Sequence, residues 1–127
     1  SKPAPAFSLI TTIATPVASA PFNVDLALPT LIIAFIDSTP LPSPTMNSAA
    51  VSTPQYSGHV GIYVTTDSGQ HWNSVATITA KTPAQSATFG SGGVQIGQRW
   101  AFIGYPNDMS GDSVGSVYVV KGYISIP

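Results

Sequence analysis

Apolar and polar positions alternate along this chain in short runs, separated by clusters of Gly, Pro, Ser, Asn and Asp. Runs of this length, rich in β-branched and aromatic residues, mark strands. The pattern predicts strands at 7–14 (FSLITTIA), 22–28 (FNVDLAL), 31–37 (LIIAFID), 59–66 (HVGIYVTT) and 71–80 (HWNSVATITA). It predicts others at 93–97 (GVQIG), 99–105 (RWAFIGY), 115–121 (GSVYVVK) and 122–126 (GYISI). Twelve prolines and eleven glycines interrupt every window long enough for a stable helix. The expected class is all-β. In the strand at 99–105, alternation sends Trp100 and Phe102 one way and Ala101 and Ile103 the other. Because large aromatics are mostly buried, Trp100 and Phe102 are the expected core face.

One segment breaks the rhythm. Residues 38–58 (STPLPSPTMNSAAVSTPQYSG) hold four prolines and little periodicity, which reads as a long loop biased toward polyproline conformations.

The chain also repeats itself. Shifted by 67 positions, Thr12 meets Thr79, Thr15-Pro16 meets Thr82-Pro83, and Ser19-Ala20 meets Ser86-Ala87. Phe22 then meets Phe89, and Ala34-Phe35-Ile36 meets Ala101-Phe102-Ile103. These are nine ungapped identities across 12–36, where a chain of this composition gives roughly two by chance. Further on, Tyr63 in GIYV aligns with Tyr118 in SVYV at a shift of 55, placing a deletion in the Pro-rich loop. The expectation is one domain over 1–127, with internal repeats at about 7–70 and 71–127. Each unit is four strands, and the strand at 7–14 corresponds to 74–81, the last of a unit. A chain that opens with a final strand has the order in which a β-propeller closes its ring.

Composition narrows the partners. Charged residues are 7% of the chain, with one arginine, three lysines, five aspartates, no glutamate and a net charge of −1. Nothing here suits a phosphate backbone, so nucleic acid is disfavoured. The apolar run 26–36 (LALPTLIIAFI) is too short to span a bilayer and contains Pro29. With no cysteine, neither disulfides nor thiolate metal sites are available. A surface made of Ser, Thr, Gly, Pro, Asn and Gln fits an extracellular, cell-surface or virion-surface setting. So little charge gives weak resistance to self-association.

The most patterned stretch is YVTTDSGQHWNSV (63–75), in which Thr65, Asp67, Gly69 and Trp72 fall in a T-x-D-x-G-x-x-W spacing. Asp67 can accept hydrogen bonds from the turn that it starts. Gly69 supplies a left-handed position, and Trp72 turns back to bury its ring. TTDSGQHW resembles the Asp-box of sialidase-type (BNR) repeats, and the segment FGSGGVQIGQRWAFIGYPNDMSGDSVGSVYVV (89–120) resembles an FG-GAP repeat of integrin-type propellers. In the latter, Phe89-Gly90 stands for the FG and Gly104-Tyr105-Pro106 for the GAP. The resemblance implies two four-stranded antiparallel, blade-like units closed by oligomerisation; a β-sandwich of two similar sheets is the alternative. It implies that Thr65, Asp67, Gly69 and Trp72 are a folding element remote from any active site. His71 stands where the family often has Thr, and is expected to be exposed.

Catalytic chemistry is poorly supplied. Sialidases use an arginine cluster and a Tyr/Glu pair, which one arginine and no glutamate cannot build. Only His59 and His71 are available as bases, and no G-x-S-x-G elbow occurs. No catalytic residue and no cofactor are therefore assigned, and a hydrolase is disfavoured. Asn107, Asp108 and Asp112 in NDMSGD offer oxygens for calcium in a turn-like setting. Tyr56 and Tyr105 at loop edges, with Asn107, could stack on and hydrogen-bond a sugar. The functional expectation is a non-catalytic structural module that self-assembles through β-strand contacts, its partners being copies of itself. The alternative is a lectin-like binder of surface glycans. Strands at 7–14 and 122–126 are the natural exchange points.

Overall fold

The computed structural model describes residues 6–38, 56–81, 86–108 and 114–122, and none of them is helical. They form two antiparallel sheets. The first holds β1 (Ser19–Ala27), β2 (Thr30–Asp37), β3 (His59–Val64) and β4 (Asn73–Ile78) in sequential order. The second holds β5 (Val94–Ile96), β6 (Trp100–Tyr105) and β7 (Ser116–Lys121), also in order. The all-β class read from the sequence holds.

β2 shows why the sheets form. Its sequence TLIIAFID is apolar on both faces, which suits a strand covered on both sides. Ile32 and Ala34 face the second sheet, joined by Val60, Ile62 and Ile78. Opposite them lie Phe89, Ala101, Ile103 and Tyr105. One core therefore serves both sheets. Burying each of these large side chains contributes roughly 1.5–3 kcal/mol. The other face of the first sheet carries a smaller cluster, Leu31, Ile33, Phe35 and Tyr63, with Ile13 and Trp72 against it.

The two sheets approach most closely where β5 meets β1 and β2. Three hydrogen bonds cross there: Asn23 Nδ2 to Gly90 O (3.1 Å), Thr30 Oγ1 to Gly97 O (3.2 Å) and Ile96 N to Asp25 Oδ2 (2.9 Å). The first two link positions 67 apart. Gly90 has a φ of +92°, and a Cβ there would stand 3.0 Å from the Ala34 Cβ. Glycine is thus required both by conformation and by sheet contact.

Several expectations are corrected. Residues 7–14 form no strand; from 6 to 16 the chain runs without secondary structure, and Phe7, Leu9 and Ile10 are exposed. β1 begins at Ser19, before the expected Phe22, and His71 and Trp72 belong to the turn before β4. The strand expected at 122–126 lies almost wholly outside the described residues, which give the second sheet three strands. Most of the 38–58 loop also lies outside them.

The alternation in β6 is as read, but its faces are reversed. Ala101 and Ile103 are buried, whereas Trp100 is 48% and Phe102 44% exposed. Phe89 and Tyr105 already fill the space beneath β6, leaving room there only for the smaller residues.

The repeat needs a similar adjustment. Ala34 pairs with Val60, and its counterpart Ala101 pairs with Val120. By strand pairing, Val120 holds in the second sheet the place that Val60 holds in the first, whereas aligning the tyrosines sets Gly115 there. Tyr63 lies in the outer cluster, whereas Tyr118 packs on the shared core.

Candidate functional site

Thr65, Asp67, Gly69 and Trp72 build one closed turn between β3 and β4. The Thr65 hydroxyl donates to Asp67 Oδ1 (2.9 Å) and accepts the Gly69 N–H (2.9 Å). Asp67 Oδ1 also accepts the His71 N–H (2.8 Å), while its Oδ2 contacts His71 Nδ1. Gly69 has a φ of +93°, and its carbonyl accepts the Trp72 Nε1–H (2.9 Å). The Trp72 ring then rests on the outer cluster of the first sheet. The His71 side-chain and backbone hydrogen bonds hold the Asp67 carboxyl down at about 2. His71 itself is exposed.

A second aspartate–histidine pair is buried, and the sequence reading missed it. Asp37, at the end of β2, accepts the Ser19 hydroxyl from β1 (2.6 Å) and faces His59 Nδ1 on β3 with both oxygens at 2.9 Å. The imidazole stacks on Phe35, with ring centroids 4.7 Å apart. The carboxylate is the central member. Ser19 therefore gives its hydrogen bond to Asp37 and not to an imidazole base, the reverse of the order in which hydrolases activate a serine. What this cluster does is fasten three strands at one end of the sheet. Backbone bonds beside it hold the ends of the 38–58 loop: Ser38 N donates to Ala18 O and Tyr56 N to Asp37 O. A charge closing an otherwise apolar run, as Asp37 does, was the available signal.

The sugar and calcium candidates do not converge. Tyr105 is 2% exposed and sits edge-on to Phe89 and Tyr118, which takes its ring out of reach of a surface sugar. Burial and the nearby Asp108 charge raise its hydroxyl pKa. Tyr56 is exposed, and Asn107 donates to Ala87 O. Asp108 is buried and accepts the Ser116 hydroxyl (2.6 Å). Asp112 lies outside the described residues. Among the described residues no three His or Asp side chains stand close enough together to hold a metal ion, and no helix is long and apolar enough to cross a membrane.

Two apolar surfaces remain. On the first sheet, Val24 pairs with Ile33 and Leu26 with Leu31, so all four share the outer face. Ile33 and Leu31 are buried there, but Val24 is 65% exposed and Leu26 is also exposed. β1 is thus inverted: its apolar residues face outward, and Asn23 and Asp25 turn inward to their bonds with the second sheet. On the second sheet, Trp100, Phe102, Val117 and Val119 form an exposed outer face, with Lys121 Nζ 5.4 Å from the centre of the Trp100 ring. At one end, an apolar cleft of about 290 Å³ opens between the sheets, lined by Ile62, Val64 and Ala76 on one side and Ile96, Ala101 and Val120 on the other.

No family model, curated protein or solved structure matches this chain. The functional reading therefore rests on its own geometry.

Proposed function

We propose that this protein is a non-catalytic structural module that assembles with copies of itself. The observation that carries this reading is the pair of exposed apolar faces, one on the outside of each sheet. Isolated exposed apolar residues are ordinary, but contiguous apolar faces mark contact surfaces. With a net charge of −1 and few charged side chains, little electrostatic repulsion opposes their meeting. The two faces differ in sequence and shape, so the contact is head-to-tail: the first sheet of one copy on the second sheet of the next. Such contacts close into rings or run into filaments.

The finer architecture we favour is blade-like, as in the Asp-box and FG-GAP propellers that the sequence resembles. The support is the pair of hydrogen bonds between positions 67 apart, at the closest approach of the sheets. Equivalent positions touch in this way when both units are arranged about an axis that passes near their first strands. A propeller needs about four or more blades, so a ring requires at least two copies. An extracellular, cell-surface or virion-surface setting suits such a charge-poor assembly.

Light scattering coupled to size-exclusion chromatography tests the reading, with a defined multiple of the 13.1 kDa chain expected. Phe102→Ser with Val119→Ser, both exposed, is expected to shift the protein toward monomer without loss of fold by circular dichroism. A wild-type protein that stays monomeric at high micromolar concentration would refute it.

A further inference from the structure

We infer that residues 7–14 of one copy complete the second sheet of another, as its fourth strand along the edge of β7 that no described strand covers. This rests on the self-assembly proposed above and names the segment that joins the copies.

Four observations meet in this assignment. Among the described residues the first sheet has four strands and the second three, and no strand pairs with the outer edge of β7. An unpaired edge is a template for a strand from another chain. The segment FSLITTIA is a strand-type sequence that forms no strand, with Phe7 fully exposed and Leu9 and Ile10 largely so. The sequence repeat sets this segment 67 positions before 74–81, which includes most of β4, the fourth strand of the first sheet. Finally, an open groove lies at Ser116–Val119 of β7, with Lys81 and Asp108 also lining it.

The register follows from the repeat. In the first sheet Ala34 pairs with Val60, and Val60 pairs with Ile78. In the second, Ala101 pairs with Val120. The counterpart of Ile78 is Thr11, so Thr11 pairs with Val120 and Ile13 with Tyr118, antiparallel. The side-chain faces agree independently. Ala76, Ile78 and Ala80 point into the shared core, as do Tyr118 and Val120. Their counterparts Leu9, Thr11 and Ile13 are the more apolar face of the segment, and this register turns them inward. Thr12 and Ala14 then lie outward beside Val119 and Val117. Leu9 comes level with Gly122, at the apolar cleft that Gly122 helps to line. In the free chain Leu9 is exposed and Thr11 half-buried, while Ile13 rests against the outer cluster of the first sheet and must be released.

Single-cysteine variants test this in a chain that has no cysteine of its own. Thr12→Cys and Val119→Cys, both exposed, are prepared separately, mixed and oxidised. Directly opposed antiparallel residues lie within disulfide reach, so the mixture is expected to give about tenfold more two-chain product than Thr12→Cys mixed with Val117→Cys. The double variant Ile10→Pro, Thr11→Pro, which removes backbone donors from the segment, is expected to lose the oligomer seen by light scattering. If wild type assembles but the cross-link is absent and the proline variant still assembles, the strand assignment is wrong and the facial contact stands. If wild type is monomeric, both fail. If Thr12→Cys and Val119→Cys in one chain close a monomeric disulfide, the segment completes its own sheet and the exchange between copies is overturned.

Discussion

The two aspartate–histidine pairs use the same groups in opposite surroundings. Asp37 and His59 are buried, twenty-two positions apart, and join three strands with Ser19. Asp67 and His71 are four apart and close one turn, the histidine exposed to solvent. In the core, a polar group removed from water must keep its partner, because none is available from solvent. In the turn, water can replace either side chain, so what remains is a modest gain in order. One pair determines whether strands stay together, and the other determines how firmly a hairpin closes.

The largest test of this contrast is Asp37→Ala. It strands the Ser19 hydroxyl and the His59 imidazole in a buried site, and about 3 kcal/mol of stability is expected to go. Urea unfolding measures it; a loss comparable to that of a surface substitution would show that the cluster holds nothing. Gly69→Ala comes next. The Cβ would meet only Trp72, at 3.8 Å, so the cost is that of a left-handed alanine, about 1–2 kcal/mol.

Asp67→Ala is expected to lower the melting temperature at neutral pH by less than Asp37→Ala does. Its effect should also depend on pH in a defined direction. The folded carboxyl titrates at about 2, below its ordinary value of 3.8, so its contribution is complete above about 4 and is lost as pH falls through 2. The melting temperatures of wild type and variant should therefore converge between pH 4 and pH 2. A difference that persists at pH 2 would assign the effect to something other than the carboxylate. His71→Ala should be smallest of all. The backbone N–H remains for Asp67, but the side-chain bond, the main cause of the lowered pKa, is gone. The Asp67 carboxyl, followed by NMR titration, is expected to move up toward its ordinary value.

These two pairs also mark what the sequence makes legible. The turn could be read directly because its parts lie within eight residues, each with local chemistry: an acceptor, a glycine and an aromatic. The buried cluster draws on β1, β2 and β3, and nothing at Ser19 announces Asp37. Tyr105 had the look of a loop-edge residue because Pro106 follows it, yet packing with Phe89 and Tyr118 takes it inside. Position 7–14 has every strand feature except a neighbour. A strand exists only when another edge pairs with it, and the described part of a single chain offers it none.

Sequence alone makes this a β protein with a tight turn at 65–72. These features depend on local propensity and turn chemistry, both of which act over short stretches of chain. The tertiary structure alone decided which face of each strand is inside. A period of two marks two faces without saying which will be covered. Packing settled it: Phe89 and Tyr105 lie between the layers with Ala101 and Ile103, while Val24, Leu26, Trp100 and Phe102 are left outside.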